Sequence, residues 1–213
     1  MKKYKNADVR RLSELLTGDE TWIHYFEPQR RINNKQWLKK GQSRPVKAKR
    51  LQSSKKVLYT VFFNSNGPVV QIPSPPGKSV TGIFYRDKVL KSVKKHYNNF
   101  HPRTGLRGIH IIHDNASSHK SNVVQQFLHD ERVIQLPHPP YSPDLSPCDF
   151  FLFPTLKKML AGRRYNSRSQ LGSAVHQCLK RIPKSDYSAA FKSWISRMEK
   201  CIHVKGEYFE GLK

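Results

Sequence analysis

The stretch between residues 109 and 136 restricts the fold more than any other part of the chain. It holds a short apolar run (109–113), a segment that suits a helix (121–128) and a second short apolar run (133–136). Two short strands joined by one helix read as a βαβ crossover, which requires a sheet with parallel neighbours. Upstream, residues 21–26 (TWIHYF) are rich in β-formers and stop at Pro28, so they read as a strand. Residues 57–63 and 69–72 are also strand-like, and the turn-forming cluster Asn64 to Pro68 between them predicts a hairpin. Apolar positions in 80–100 follow helical spacing, a short helix is expected around 9–16, and the chain reads as helical beyond Pro147. The resulting order, three strands, helix, strand, helix, strand and then helices, predicts an α/β fold with a mixed sheet flanked by helices.

A chain of 213 residues suits one compact domain. Its 39 Lys and Arg against 15 Asp and Glu leave a net charge of +24, which calls for a polyanionic partner. No apolar run is long enough to span a bilayer and the N-terminus lacks a signal-peptide core, so nucleic acid is favoured over membrane. Cys148, Cys178 and Cys201 are odd in number and widely spaced, which fits neither a disulfide framework nor a zinc knuckle. Eleven cations and no acidic residue fall between Gln29 and Lys56, where a long basic loop is expected.

Against this cationic background three carboxylates sit at expected element boundaries. Asp19 precedes the strand at 21–26, Asp114 closes the run 109–113, and Asp149 follows the proline-rich segment 137–147. Singly, each has an ordinary reading as a turn or capping residue. Together they carry more, because Asp114 falls at the C-terminal end of a parallel strand, the ligand-facing edge of an α/β sheet. Carboxylates gathered beside it would repel unless neutralised, and Mg²⁺ or Mn²⁺ suits an all-oxygen site. Acidic centre and basic surface together point to phosphodiester chemistry with two ions.

The motifs Thr17-Gly18-Asp19-Glu20-Thr21-Trp22-Ile23, His113-Asp114-Asn115-Ala116 with Ser118-His119, and Tyr141-Ser142-Pro143-Asp144-Leu145-Ser146-Pro147 with Asp149 resemble those of mariner-type DNA transposases. Thirty-four residues separate Asp114 from Asp149, the spacing of that family, and Arg197 to Cys201 with Gly206, Tyr208 and Phe209 look like its C-terminus. The resemblance implies an RNase H-like domain from residue 19 to 213, an N-terminal remnant or linker at 1–18, and a basic insertion at about 28–54. It implies that Asp19, Asp114 and Asp149 hold two divalent ions, Asp19 shared between them. It further implies cleavage at transposon ends, strand transfer into a TA target, a homodimer, a nuclear setting, and a clamp on DNA and a second subunit. Arg30, Arg31, Lys35, Lys39, Lys40, Arg44, Lys47, Lys49 and Arg50 would form that clamp. With 18 residues ahead of Asp19, the paired helix-turn-helix modules of the family are expected to be missing.

Several side chains keep two readings. Glu20 could replace Asp19 as a ligand, since neighbours on a strand alternate faces. His113, Asn115 and His119 could support the carboxylates, or serve only turn hydrogen bonds and packing. Trp22, Tyr25, Trp37 and Tyr141 could stack on bases, with core packing the simpler expectation for Trp22 and Tyr25. Gly77-Lys78-Ser79 lacks the upstream glycine of a phosphate-binding loop. A domesticated or decayed domain that binds DNA without cleaving it, and a purely structural basic protein, are the competing functions.

Overall fold

The computed structural model describes residues 12–28, 42 and 52–206. Five strands form one sheet in the order β3-β2-β1-β4-β5. These are β1 (Leu15–His24), β2 (Lys56–Asn64), β3 (Gly67–Pro73), β4 (His110–Ile112) and β5 (Ile134–Gln135). β1, β2 and β3 are antiparallel, whereas β4 runs parallel to β1 and β5 parallel to β4, so the sheet is mixed as expected. The β2–β3 hairpin turns at Asn64 to Gly67, where Gly67 takes a φ of 129° open to glycine.

Helices cover both faces. On one side α1 (Gly82–Phe84) passes through a π-helical stretch (Tyr85–Leu90) into α2 (Lys91–Phe100), with α3 (Asn122–Asp130) beside it. On the other lie a π-helical stretch (Cys148–Leu152) that continues as α4 (Phe153–Leu160), then α5 (Arg168–Arg181) and α6 (Lys184–His203). Pro154 is the second residue of α4, and the helical backbone runs into it unbroken from the π-helical stretch, so the helix does not restart there.

The central strand supplies both cores. Leu15 and Ile23 pack with Tyr59, Val61 and Phe63 beneath α4, α5 and α6, while Leu16 and Phe62 pack beneath α1, α2 and α3. Phe63 lies 5.6 Å from Tyr187 and 5.5 Å from Phe191, ring centroid to centroid, an aromatic cluster that ties β2 to α6. Gly18 pairs with Phe62 across the β1–β2 ladder, and a Cβ on Gly18 would fall 2.2 Å from the Phe62 ring.

β1 begins at Leu15, not at Thr21, so the expected helix over 9–16 gives way to strand at its end. Leu15 and Leu16 are each at most 1 % exposed on opposite faces, and a strand buried on both sides lacks the polar alternation that marks a half-buried one. Asp19 therefore lies inside the central strand. Residues 9–11, the clamp cations from Arg30 to Arg50, Trp37, Tyr208 and Phe209 lie outside the described residues. Among the described residues, no helix is long and apolar enough to cross a membrane.

Candidate active site

Asp19 and Glu20 are neighbours on β1 and point to opposite faces of the sheet. On the Asp19 face, Thr17 contacts Cys148 at 3.8 Å, which brings the start of the π-helical stretch, and Asp149 within it, against the strand. The backbone N–H of Asp149 donates to the carbonyl of Ser146 at 3.0 Å, so the turn after Pro143–Leu145 fixes where the carboxylate emerges. Asp114 follows β4 at the adjoining edge, and its Oδ1 accepts from the Ala116 N–H at 3.0 Å.

The electrostatics show how closely these groups share one region. Burial, reinforced by the negative charges of Asp149, Glu20 and Asp114, pushes the Asp19 carboxyl up to about 8, although the Glu20 N–H donates to it at 2.6 Å. Asp149 is also raised, chiefly by burial and further by Asp114. Asp114 is lowered, because a hydrogen bond from His119 outweighs its burial. Among the described residues, no three carboxylate, imidazole or thiol groups already close on one point tightly enough to enclose an ion. The fit to divalent cations therefore lies in the donor set: carboxylate oxygens only, with burial and then neighbouring negative charge favouring a proton on Asp19 when nothing else neutralises it.

Glu20 faces the other core. Its Oε1 accepts from the Thr60 hydroxyl at 2.9 Å, and its Oε2 lies 3.5 Å from Nε2 of His119. The His119 ring is wholly buried, with Nδ1 2.7 Å from Oδ1 of Asp114. Burial alone would lower this imidazole, but the two carboxylates lift it to about 9, so it stands as a cation between them. It stacks on His113 (4.8 Å between centroids, 5° between planes) and lies 4.1 Å from the Tyr85 ring. His113 is pulled down to about 3 by burial and by the neighbouring His119 charge, and so stays neutral. Its Nε2 accepts from the Gln135 amide at 2.5 Å, leaving Nδ1–H to donate to the Tyr85 hydroxyl at 2.9 Å.

Asn115 serves the loops instead. Its amide donates to the His138 carbonyl at 2.9 Å, tying the loop after β4 to the proline-rich segment before Asp149. Three participants carried no usable sequence signal. Tyr85 and Gln135 reach the site from α1's π-helical continuation and β5, and His138, lowered by burial, feels the charges of Asp114 and Asp149. Two aromatic expectations need correction or refinement. Trp22 is 45 % exposed, not core, with the Lys56 ammonium 4.4 Å from its ring centroid. Tyr25 is partly buried against the first core, and Tyr141 is fully exposed with a φ of 55°.

A family described as DDE superfamily endonuclease matches residues 14–172, about three quarters of the chain and all three aspartates. The chain belongs to this family. It is 27% identical over 212 residues to the Mariner Mos1 transposase of Drosophila mauritiana, covering 99% of this chain and 60% of that protein. It is 28% identical over 206 residues to the human histone-lysine N-methyltransferase SETMAR, covering 97% of this chain and 30% of that one. The chain thus spans less than two thirds of the length of these relatives. A Mos1 transposase paired-end complex with the left transposon end superposes with a TM-score of 0.82 at 27% identity, covering 98% of this chain and 59% of that one. The isolated Mos1 catalytic domain superposes with a TM-score of 0.75 at 24% identity, over 98% of this chain and 89% of that one. The mixed five-stranded sheet with helices on both faces is thus the expected RNase H-like fold.

Proposed function

We propose that this chain is the catalytic domain of a mariner-type, metal-dependent DNA transposase that cuts transposon ends and transfers the freed 3′ end into a TA target. One observation carries the reading: Asp19 on β1, Asp114 after β4 and Asp149, held beside β1 through the Thr17–Cys148 contact, gather past the C-terminal end of β4 in a chain with a net charge of +24. Asp19, Asp114 and Asp149 would hold two Mg²⁺ or Mn²⁺ ions, and related Mos1 complexes solved with Mn and with Mg support that choice. Bound there, such ions would stabilise the attacking and leaving oxygens of an in-line displacement at phosphorus.

The chain's own residues orient this chemistry. His119 holds one oxygen of Asp114 and leaves the other for a cation, and His113, Tyr85 and Gln135 fix the plane of the His119 ring. Glu20 shares the His119 charge from the opposite face, so it acts beside Asp19 and not in its place. Asn115 keeps the loops bearing Asp114 and Asp149 in step. The clamp cations at 30–50 would engage DNA and a second subunit, in keeping with the paired-end complexes of the relatives, and the setting would be nuclear.

The test is nicking of a duplex carrying mariner ends, with Mg²⁺ or Mn²⁺ and with Asp149→Asn as control. Metal-dependent nicking abolished by the substitution is expected; nicking indifferent to it would overturn the assignment. The alternative of a domain that binds DNA without cleaving it is not favoured, since all three carboxylates are in place.

A further inference from the structure

Beyond the end of β1, the chain is gripped from both sides. The Tyr25 N–H donates to the Lys55 carbonyl at 3.0 Å and the Ser53 N–H to the Phe26 carbonyl at 3.0 Å. On the other flank, the Tyr165 N–H donates to the Tyr25 carbonyl at 2.8 Å and the Gly162 N–H to the Glu27 carbonyl at 2.7 Å. The two described ends of the basic insertion, Pro28 and Gln52, therefore lie side by side. Here the surface opens into a cavity of about 320 Å³ lined by Ser53, Ser54, Lys55, Arg164, Tyr165 and Asn166 against the Tyr25–Phe26 backbone.

Its chemistry is one-sided. Two exposed cations, two hydroxyls and an amide face it, and none of the lining residues is acidic. Arg164 is held with its guanidinium carbon 5.3 Å from the centroid of the Phe26 ring, and the Lys55 N–H is anchored on the Ser53 hydroxyl at 3.2 Å. Such a set of donors suits an anion with several acceptor oxygens. A phosphodiester of nucleic acid is the anion that the charge of this chain fits best.

The position supports that choice. Tyr25 and Phe26 continue the strand that bears Asp19, and Arg164 to Asn166 follow the helix that continues from the π-helical stretch bearing Asp149. We propose that this cavity seats one backbone phosphate of bound duplex DNA away from the scissile bond, an inference that rests on the DNA-cleaving reading above.

The experiment measures binding of a blunt duplex at several salt concentrations to wild type, Lys55→Gln and Arg164→Gln. Single methylphosphonates are placed in turn along each strand, and Mn²⁺-dependent nicking of the same duplex is followed in parallel. Each variant is expected to reduce the slope of log Kobs against log salt by about 0.9, and Arg164→Lys to restore it. A methylphosphonate at one position should weaken wild type and leave the variants unaffected. Unchanged slopes, or equal methylphosphonate sensitivity in wild type and variants, would overturn the phosphate seat. Lys55 is exposed, so Lys55→Gln decides the matter even if Arg164→Gln fails to fold. Wild type that binds with these signatures but does not nick overturns the cleavage reading and leaves the seat standing; wild type that does not bind overturns both.

Discussion

Nδ1 of His119 lies 2.7 Å from Oδ1 of Asp114, and the same ring presents Nε2 to Glu20 at 3.5 Å. One buried imidazole thus links a carboxylate at the end of β4 to another on β1. Removing it by His119→Ala leaves a hole and strips Asp114 and Glu20 of their shared cation, with an expected loss of about 2–4 kcal/mol in urea unfolding. Mn²⁺ affinity by calorimetry should fall about 10- to 100-fold. His119→Asn, which can still donate toward Asp114, should recover much of that affinity; equal Mn²⁺ binding by wild type and His119→Ala would rule out a positioning role.

The raised Asp19 carboxyl makes stability depend on pH in a definite direction. Its folded value of about 8 exceeds the ordinary 3.8, so the native state keeps a proton that the unfolded chain has released. The stabilisation is complete below about pH 4 and is lost as pH rises toward 8. His119, raised from 6.5 to about 9, adds a loss in the same direction over the upper part of that range. Metal-free melting temperature should therefore fall between pH 6.5 and 9, Asp19→Asn should flatten the fall, and Mg²⁺ or Mn²⁺ should stabilise most at the alkaline end. A melting temperature that rises with pH in the metal-free protein would contradict this.

Phe63 sits among Tyr187, Phe191 and Phe151 with no exposed surface. Phe63→Ala should cost about 3–5 kcal/mol, read as a lower denaturant midpoint with an unchanged m-value. A loss below about 1 kcal/mol would mean that α6 packs more loosely on β2 than these ring contacts imply.

Asn115→Ala removes a single exposed hydrogen bond, so global stability should change by no more than about 1.5 kcal/mol. The consequence should be local: faster amide exchange at Leu145 and Ser146, with α5 unaffected. Uniform exchange in variant and wild type would leave Asn115 as an ordinary turn residue.

The hairpin and the βαβ unit were legible because turn residues and short apolar runs follow local rules, as at Asn64 to Gly67 and His110–Ile112. The start of β1 was not, since Leu15 and Leu16 are buried on both faces and carry no alternation. The exposure of Trp22 depends on what packs over its face of the sheet, a tertiary fact absent from TWIHYF. Asp19, Asp114 and Asp149 stood out against a cationic background, whereas Tyr85, Gln135 and His138 reach the site only through the packing of distant elements. The two π-helical stretches, which carry Tyr85 and Asp149, have no local sequence signature.

The fit of Gly18 beneath the Phe62 ring has a consequence for addressing the carboxylates. Because side chains alternate along β1, a slip of one residue against β2 would send Asp19 to the imidazole side and Glu20 to the Asp149 side. Such a slip would also bring a side chain opposite Phe62 where only hydrogen fits. The glycine acts as an indexing notch: it resists the one-residue slip that would turn the shorter carboxylate away from Asp149.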